Sequence, residues 1–438
     1  MTYDALVIGG GMAGLAAAWR LAREGQRVCL VEEADHLGGL ASSFEHEGRL
    51  YPLGYHHILS TDAQLLSFLA QLGLLDRVHW KRQDMGFLVD GAVWGLGSVR
   101  DFLRFPLPIP AKVGMAARVA TAWLPLEHDE PASTWLRRFA GAGAISDFFD
   151  PLTQIKFGLP TSALSAAWLR ARMLSSEASC QYGYMPDSDW VSVVVEALHA
   201  RLERLGVDIH LRSRAKSIDL NDAGRRVLGA TLADGRVLRA RATIAALAPP
   251  ILTKLMPSVR SSHLQQIEYT GVVSSVVATR SPVTIDRYWT NVLRPLSSFG
   301  GVFRLDLLND SLGHPGVKLL NFCTHVRTRS EASMLRWPES KIVQQYLADY
   351  EALFGEQIEP DWTHTSRITH YSPVFVDGYR NPDVTHPKLE NLFLAGNHRT
   401  FPVLATTGSA MGSGHEAAAA ALASRALKIG QVGDGEAA

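Results

Sequence analysis

Cysteine is scarce in this chain of 438 residues, with only Cys29, Cys180 and Cys323 present. The three are far apart in sequence and form no Cys-x-x-Cys pair, so the sequence predicts neither a disulfide framework nor a zinc site. We therefore expect no bound metal and a reducing environment, which favours a cytoplasmic protein.

Long apolar runs and an excess of one charge are also missing. No uncharged apolar run reaches the ~18 residues of a membrane-spanning helix, and the N-terminus lacks the basic region and cleavage site of a signal peptide. The 43 Lys and Arg residues balance 43 Asp and Glu residues, whereas a protein that binds nucleic acid normally carries a basic excess. These absences predict a protein that is not exported, does not span a membrane, binds no nucleic acid and acts on a small molecule.

The common hydrolase motifs are absent as well. The chain has no H-E-x-x-H, G-x-S-x-G or P-loop pattern, which leaves metalloprotease, serine hydrolase and nucleoside-triphosphatase functions without support. The composition, 47% hydrophobic and 20% charged, is that of a globular protein,. The length favours two domains with a cofactor cleft between them.

A glycine cluster follows the first apolar run of the chain. Residues 5–8 predict a buried strand, residues 9–14 (GGGMAG) a tight turn, and residues 15–23 an Ala-rich helix. This order of strand, turn and helix is typical of a dinucleotide-binding βαβ unit. A merely glycine-rich turn is the alternative interpretation, and the strand and helix on either side argue against it.

Each residue of this turn has a predicted role. Gly9 permits the turn, Gly11 lets the backbone approach a pyrophosphate, and Gly14 lets the helix pack closely on the strand. The backbone N–H groups of Met12 and Ala13 lie at the helix N-terminus, where they and the helix dipole favour an anion.

An acidic residue closes the next apolar run. Residues 27–31 predict the second parallel strand, and Glu32 stands at its carboxyl end, followed by Glu33. A carboxylate about 20 residues past the glycines can accept hydrogen bonds from ribose hydroxyls. The glycines and this carboxylate therefore predict a site for an adenine dinucleotide.

A second glycine pair follows directly, in the run ADHLGGLASS at 34–43. With it the chain resembles the flavin-containing amine oxidoreductases, a family that includes monoamine oxidases, protoporphyrinogen oxidases, phytoene desaturases and, more distantly, UDP-galactopyranose mutases. The resemblance implies FAD as cofactor, with Gly38, Gly39, Leu40 and Ala41 along its pyrophosphate and ribityl chain. Leu40 stands where the family often has an arginine.

The far end of the chain supports the same resemblance. Residues 389–397 predict a strand that ends in a turn, and residues 407–416 open an Ala-rich helix. This is similar to the closing FAD motif of the family, which would bring Gly396, Asn397, Ala410 and Met411 to the cofactor. Asn397 stands where the family usually has an acid. The family also has a backbone contact to adenine after a middle strand, and Ala215 is the candidate for it.

The resemblance implies an α/β fold with a Rossmann-like, discontinuous FAD-binding domain and a second, α+β substrate domain. The FAD-binding domain would comprise residues 1–89, 187–250 and 373–430, and the substrate domain residues 90–186 and 251–372. Alternating apolar and polar residues at 272–278 and 318–325 predict an antiparallel sheet in the substrate domain, beside a helical insertion. Residues 431–438 are expected to be a disordered tail.

Residues that could take part in the chemistry are harder to identify, because the flavin itself accepts the hydride. Relatives pass the segment that matches Gly54, Tyr55 and His56 beside the flavin, so these residues are cofactor candidates. His56 and His57 could act as acid or base, and a structural histidine is the alternative for each. The remaining catalytic candidates are Lys156, which could instead be a solvated or ion-paired lysine, and Tyr371, which could form an aromatic wall or simply pack in the core.

Residues 105–126 are apolar and weakly basic, with Lys112 and Arg118. An amphipathic segment of this kind can lie in a membrane interface, which would make the protein membrane-associated. A helix packed into the substrate domain explains the same pattern.

The resulting hypothesis is an FAD-dependent oxidoreductase that dehydrogenates a small organic molecule, lipophilic or an amine, by hydride transfer to the flavin. Two alternatives stay open. One is a redox-neutral isomerase that resembles UDP-galactopyranose mutase, and the other is a flavin-binding protein without catalytic activity.

Overall fold

The structure is a computed structural model that describes residues 2–175, 180–186, 188–259, 262–327 and 333–428. The predicted disordered tail, residues 431–438, lies outside the described residues. No helix within those ranges is both long enough and apolar enough to span a membrane.

The described part of the chain contains nineteen strands in four sheets. The strands are β1 (Thr2–Ile8), β2 (Val28–Val31), β3 (Ser43–His46), β4 (Arg49–Pro52), β5 (Ile58–Leu59), β6 (His79–Arg82), β7 (Met85–Val89), β8 (Ala92–Gly95), β9 (Gln181–Tyr184), β10 (Asp208–His210), β11 (Ala215–Leu220), β12 (Val227–Leu232), β13 (Val237–Ala245), β14 (Tyr269–Thr279), β15 (Trp289–Arg294), β16 (Gly301–Arg304), β17 (Lys318–Arg327), β18 (Pro360–Pro373) and β19 (Leu392–Leu394).

The helices lie between these strands, and most of those in the first half of the chain fall between β8 and β9. They are α1 (Met12–Arg23), α2 (Ala63–Gln71), α3 (Val99–Arg104), α4 (Ile109–Ala120), α5 (Ala132–Arg137), α6 (Gly141–Ala144), α7 (Asp150–Phe157), α8 (Ala166–Leu174), α9 (Trp190–Arg204), α10 (Pro249–Leu255), α11 (Ser262–Gln266), α12 (Leu305–Leu308), α13 (Glu339–Phe354), α14 (Thr407–Ala423) and α15 (Arg425–Lys428). A π-helical stretch, Ile145–Phe149, joins α6 to α7.

The first large sheet has a parallel core. Strand β1 lies between β2 and β13 and is parallel to both, β10 extends the sheet beyond β2, and β19 pairs in parallel with β13. Residues 5–8 and 28–31 are almost fully buried, as expected for strands that are covered on both faces. Strands β12 and β11 continue the sheet from β13 in antiparallel orientation.

Helix α1 packs closely on the sheet and on α14, and glycines make both approaches possible. A Cβ atom at Gly14 would overlap the carbonyl oxygen of Gly9, and a Cβ atom at Gly414 would overlap the carbonyl oxygen of Ala13. The turn at 9–11 and the start of α14 are therefore held side by side, although they lie at opposite ends of the chain.

The second large sheet has the strand order β18-β14-β17-β16-β15-β7-β8. Residues 272–278 and 318–325, which predicted an antiparallel sheet, belong to β14 and β17, and these two strands pair with each other in antiparallel orientation. Strand β7, which lies at the end of the first segment of the predicted FAD-binding domain, pairs with β15 in this sheet. The two sheets and their helices confirm the predicted fold class.

Candidate active site

A cavity of about 720 Å³ lies at the carboxyl ends of β1, β2, β13 and β19, with β15 and β18 of the second sheet on its other side. Ligands of parallel α/β sheets bind at such carboxyl ends. Most of the predicted cofactor residues line the cavity, namely Gly9, Gly11, Met12, Ala13, Glu32, Glu33, Gly38, Gly39, Leu40, Ala41, Tyr55, His56, Ala215, Gly396, Asn397 and Ala410.

Three predicted cofactor residues do not line the cavity. Gly14 faces the backbone of Gly9, where it allows α1 to pack on β1. Met411 is fully buried in the core that α14 forms with its neighbours. A Cβ atom at Gly54 would lie 3.5 Å from the hydroxyl of Ser274, behind the cavity wall. These residues support the wall instead of forming its surface.

The two glycine turns are joined by a backbone hydrogen bond. Gly9 has a φ of 106°, a conformation that favours glycine,. The Gly38 N–H donates to the Gly10 carbonyl at 2.9 Å. At Gly11 a Cβ atom would meet no heavy atom closer than Gly39 Cα at 3.8 Å. The protein itself therefore leaves space beside Gly11 at the N-terminus of α1, as a bound pyrophosphate requires.

Glu32 lies at the end of β2, as predicted, and its carboxylate is anchored by the backbone. Oε2 accepts a hydrogen bond from the Gly10 N–H at 2.7 Å, and Oε1 accepts one from the Ala34 N–H at 2.8 Å. The two hydrogen bonds orient the side chain. Each carboxylate oxygen keeps a further acceptor position, so it can still accept a hydrogen bond from a ribose hydroxyl. Glu33 is more exposed and pairs with Arg214 at 3.7 Å.

Asn397 lines the cavity, and its side-chain amide is held by two hydrogen bonds. Its Oδ1 accepts a hydrogen bond from the Tyr269 hydroxyl at 2.8 Å, and its Nδ2 donates to the Tyr371 carbonyl at 2.9 Å. The amide thus links the end of β19 to the second sheet. A carboxylate could not donate to the Tyr371 carbonyl, which gives a physical reason for asparagine at this position.

The start of α14 is fixed against the first half of the chain. Thr406 caps this helix by accepting from the Ser409 N–H at 3.1 Å, and its hydroxyl donates to Asp62 at 2.9 Å. Asp62 in turn caps α2. Because Asp62, Thr406 and Ala410 all line the cavity, two helix N-termini besides that of α1 lie close to it.

His56 lines the cavity, and its side chain is partly buried. Its Nδ1 has no hydrogen-bond partner among the described residues. Burial lowers the pKa of His56 to about 4, against the opposing effect of backbone hydrogen bonds with Leu40 and Gly54. The imidazole is therefore neutral near pH 7, with an unsatisfied nitrogen in the wall of the cavity.

His57 and Tyr55 belong to an aromatic cluster. Tyr55 stacks on Phe303 with ring centroids 3.9 Å apart, and His57 contacts the rings of Tyr55, Tyr182, Tyr288 and Trp289. The Nδ1 of His57 lies 3.2 Å from the Tyr288 hydroxyl. The ring of His57 is therefore packed against aromatic side chains and hydrogen-bonded. The residue also lines the cavity.

Tyr371 forms part of the cavity wall opposite the glycine turns. A hydrogen bond links its hydroxyl to that of Tyr55. Burial and the nearby Cys323 raise the pKa of Tyr371 to about 12, with Tyr55 acting in the opposite direction. Both tyrosines are therefore protonated at neutral pH and can donate hydrogen bonds.

A second, smaller chamber of about 40 Å³ adjoins the main cavity. The two spaces share Tyr55, Lys156, Trp168, Arg172 and Trp289, which stand at their junction. Beyond this junction the chamber is enclosed by α7, α8 and the second sheet. Lys156 is thus brought next to the predicted cofactor residues, as a catalytic candidate should be.

His325 lines the second chamber together with Lys156 and Arg172. Burial, followed by the charges of Lys156 and Arg172, lowers the pKa of His325 to about 3. Sequence reasoning missed His325, although the alternation of β17 could have shown that it shares a strand face with Cys323, which also lines the chamber. Arg170, on the same helix as Arg172, instead donates to the Leu124 carbonyl at 2.9 Å on the surface.

His398 is another cavity residue that sequence reasoning missed. It is 1% exposed, and neither ring nitrogen has a hydrogen-bond partner within the described part of the chain. Burial, followed by the charges of Arg399 and His263, lowers its pKa to about 3. Among the described residues no group of three or more His, Cys, Asp or Glu side chains is placed to hold a metal.

The chain is similar to several known proteins. The chain is 23% identical to 15-cis-phytoene desaturase of Glycine max over 278 residues, which cover 58% of this chain and 48% of that one. It is 28% identical to coproporphyrinogen III oxidase of Propionibacterium freudenreichii subsp. freudenreichii over 172 residues, 36% of this chain and 33% of that one. The chain thus spans about half the length, or less, of these curated relatives.

A solved structure with the same fold is that of reduced UDP-galactopyranose mutase. It matches with a TM-score of 0.74 at 16% identity, over 98% of this chain and 99% of that one. At this identity the likeness concerns the fold alone. The sequence profile of one family matches residues 12–422, almost the whole chain. The chain therefore belongs to the flavin containing amine oxidoreductase family.

Proposed function

We propose that the chain binds FAD in the main cavity and uses it to dehydrogenate a small organic molecule that meets the flavin at the junction with the second chamber. The observation that carries this proposal is the junction between the two spaces. One space is lined by glycine turns and helix N-termini, the other by aromatic and cationic side chains, and they meet at Tyr55, Lys156 and Trp289.

Unsatisfied polar atoms in the cavity wall support a polar ligand of this kind. His56 Nδ1 and both ring nitrogens of His398 are buried without a hydrogen-bond partner among the described residues. Buried polar groups are rarely left unpaired in native proteins. The open space at Gly11 also supports a bound ligand, because no close contact within the protein requires a glycine there.

The proposed cofactor contacts follow the cavity from end to end. Gly11 and the start of α1 would hold the pyrophosphate, Glu32 the adenosine ribose, and the Ala215 backbone the adenine. Gly38 to Ala41 and the start of α14 would lie along the ribityl chain. His56 would offer one hydrogen bond near the flavin ring.

The junction suits an apolar, conjugated substrate, because Trp168 and Trp289 stand there and Phe303 lies beyond them. When bound, FAD supplies the hydride acceptor. Tyr55 and Tyr371 would orient the substrate, and the neutral imidazole of His56 can accept a hydrogen bond.

The first test is the visible absorption spectrum of the purified chain, before and after acid precipitation. We expect flavin bands that are released into the supernatant, since the proposed site holds FAD without a covalent bond. The Gly11→Val variant should fold and lack these bands, because its side chain enters the ligand space. Gly143→Ala is the matched control, since a Cβ there would meet only Ala111 Cβ, at 4.0 Å.

Two results would contradict the proposal. A folded wild-type chain that is colourless and takes up no added FAD would remove the cofactor site. A flavin that no candidate substrate bleaches in the absence of oxygen would instead favour a flavin-binding protein without catalytic activity.

A redox-neutral isomerase is the alternative in another reaction class. It predicts a substrate that is rearranged only after the flavin has been reduced, with no oxygen consumed per turnover. Dehydrogenation predicts a substrate that itself reduces the flavin and drives oxygen consumption or reduction of another acceptor. Oxygen uptake measured beside product analysis separates the two.

Two further features remain predictions from the sequence. One is the division of the chain into an FAD-binding domain and a substrate domain, and the other is the cytoplasmic location. Contact with a membrane surface also stays a prediction.

A further inference from the structure

Acidic and basic side chains line different parts of the main cavity. Its acidic residues are Glu32, Glu33 and Asp62, which follow β2 or stand directly before α2. Lys254 of α10 and Arg367 of β18 line the same cavity. Positive charge from α10 and β18 therefore reaches this cavity from elements that carry none of its carboxylates.

Lys254 and Arg367 are not neutralised by a carboxylate of the protein. Within the described part of the chain, neither side chain forms an ion pair, whereas Arg214, on the acidic side, pairs with Glu33 at 3.7 Å. Arg367 donates one hydrogen bond to the Trp337 carbonyl at 3.0 Å. This bond holds the guanidinium group and leaves it further N–H donors.

Helix α10 presents one of its sides to the cavity. It begins at Pro249, shortly after β13 ends, and so stands at the carboxyl edge of the parallel sheet. Ile251, Lys254 and Leu255 are three and four residues apart, which places them on one side of the helix, and all three line the cavity. The ammonium group of Lys254 therefore belongs to the cavity wall and neighbours apolar side chains.

His370 of β18 lies close to Lys254 and also lines the cavity. Burial, followed by the charge of Lys254, lowers the pKa of His370. A like charge has this effect only at short range, so the two side chains are neighbours although they belong to different elements. The ring of Tyr269 lies edge-on to the imidazole, with centroids 5.8 Å apart. His370 is thus a packed, neutral imidazole that keeps one N–H donor.

This arrangement is unfavourable for the chain alone. Lys254 and His370 oppose each other's protonation, and no described carboxylate offsets the charge of Lys254. Perturbed titratable groups of this kind are concentrated at functional sites. A bound oxyanion would reverse the effect, because it accepts charge-assisted hydrogen bonds from an ammonium group and a hydrogen bond from an imidazole N–H.

We propose that Lys254, His370 and Arg367 form a site for an oxyanion, a carboxylate or a phosphate, in the wall of the main cavity. This inference rests on the proposed function, because it assigns a ligand group to the same cavity. Two ligands could supply the oxyanion, namely the substrate and, through its diphosphate, FAD. In the first case the substrate is amphipathic, with its apolar part at the junction and its anionic group at this site.

The first part of the test measures the binding of small oxyanions. Isothermal titration calorimetry of the full-length, FAD-loaded chain compares benzoate and phenyl phosphate with benzamide, a neutral molecule of about the same size as benzoate. If the substrate supplies the oxyanion, we expect benzamide to bind about tenfold more weakly, as for the loss of a hydrogen bond to a charged group. Lys254→Gln should remove most of this difference, and Lys254→Gln with Arg367→Gln all of it.

The second part measures the Kd of FAD for the flavin-free chain by quenching of flavin fluorescence. If the diphosphate supplies the oxyanion, Lys254→Gln should raise this Kd about tenfold. Added salt should then weaken FAD binding more in the wild type than in the variant, since screening acts on the charge that the variant lacks. If the substrate supplies it, the Kd of FAD stays the same in both.

The matched control is Arg100→Gln, which removes one basic side chain that is exposed on α3 and does not line the cavity. It should bind FAD, benzoate and phenyl phosphate as the wild type does. Near-ultraviolet circular dichroism verifies that each variant is folded.

One pattern of results would overturn the proposal. In it, Lys254→Gln and the double variant bind FAD and both oxyanions as tightly as Arg100→Gln does. Failure of the proposed function gives a different pattern, in which the wild type takes up no FAD. The flavin-free chain is then titrated with phenyl phosphate, and binding that depends on Lys254 would retain the oxyanion site without the cofactor.

Discussion

His398 buries its imidazole beside Gly396 without a hydrogen bond to any described residue. Burial lowers its pKa to about 3, whereas a histidine in an unfolded chain titrates near ~6.5. Between these pH values the unfolded chain binds a proton that the folded chain does not. The contribution of neutral His398 to the free energy of unfolding is therefore complete above pH ~6.5. It is lost as the pH falls towards the pKa of the folded state.

Other buried groups add to this effect or oppose it. Burial lowers the pKa values of His56 and His415 to about 4 and that of His325 to about 3, so these residues act in the same direction as His398. Burial raises the pKa of Asp189 to about 7. A carboxyl with a raised pKa has the opposite sign, because the folded chain then binds the additional proton as the pH falls. The histidines are more numerous, so we expect a net loss of stability in mild acid.

Substitution of His398 should make the free energy of unfolding less dependent on pH. For His398→Asn we expect the slope between pH ~4 and ~6.5 to fall by up to about 1.4 kcal/mol per pH unit, the value for one proton. Denaturant unfolding at a series of pH values measures this slope. The control is His128→Asn at an exposed position, and an equal slope in both variants would contradict the buried, neutral state of His398.

Helix α14 is the element on which the cavity depends, because it contacts α1 and α2 at very short distances. A Cβ atom at Gly414 would overlap the Ala13 carbonyl, and one at Gly408 would lie 2.5 Å from Asp62 Oδ1. Gly412 differs, since a Cβ there would meet only the amide end of the flexible Gln64 side chain, at 2.8 Å. Three glycines of one helix thus have unequal tolerance for a side chain.

The substitution Gly414→Ala should destabilise the protein and weaken flavin binding at the same time. We expect a loss of about 1–3 kcal/mol in the free energy of unfolding, as for overpacking of a core, because α1 and its turn must move away. Gly412→Ala on the same helix should be neutral or slightly stabilising, since alanine favours a helix more than glycine does. Denaturant unfolding and flavin content measure both effects, and similar results for the two variants would rule out this packing argument.

At the scale of elements, local signals identified one side of the main cavity and, on the opposite wall, Tyr371. The turn at 9–14, Glu32 and the segment 396–410 are read from neighbouring residues, and all three reach the cavity. His398 lies within the last segment and His325 on an alternating strand, but the surroundings of both rings depend on the strands and helices that pack against them, which no local pattern shows. The sequence also did not decide whether the segment that contains α4 packs into the protein or lies on a membrane. A periodic pattern identifies two apolar sides of a helix without showing which one is buried.

At the scale of the whole molecule, the cavity is where distant parts of the chain meet. Its wall runs from Gly9 to Ala410 in sequence and includes residues of both large sheets, such as Trp289 and Tyr371. Among the described residues, the Asn397 amide forms direct bonds across it and joins the end of β19 to Tyr269 and Tyr371. A ligand that fills the cavity would add contacts between the sheets that the chain alone does not make.

Flavin binding should therefore stabilise the entire fold. A ligand that binds only the folded state contributes about 2.7 kcal/mol when its free concentration is a hundredfold above Kd. We expect the thermal midpoint of the flavin-free chain to rise with added FAD, and that of the Gly11→Val variant to stay constant, because its ligand space is blocked while its own packing is intact. Since the cavity wall contains elements of both sheets, near-ultraviolet circular dichroism and tryptophan fluorescence should report one shared transition. A midpoint that is independent of FAD, or that rises equally in the variant, would show that the cofactor does not bind between the two sheets.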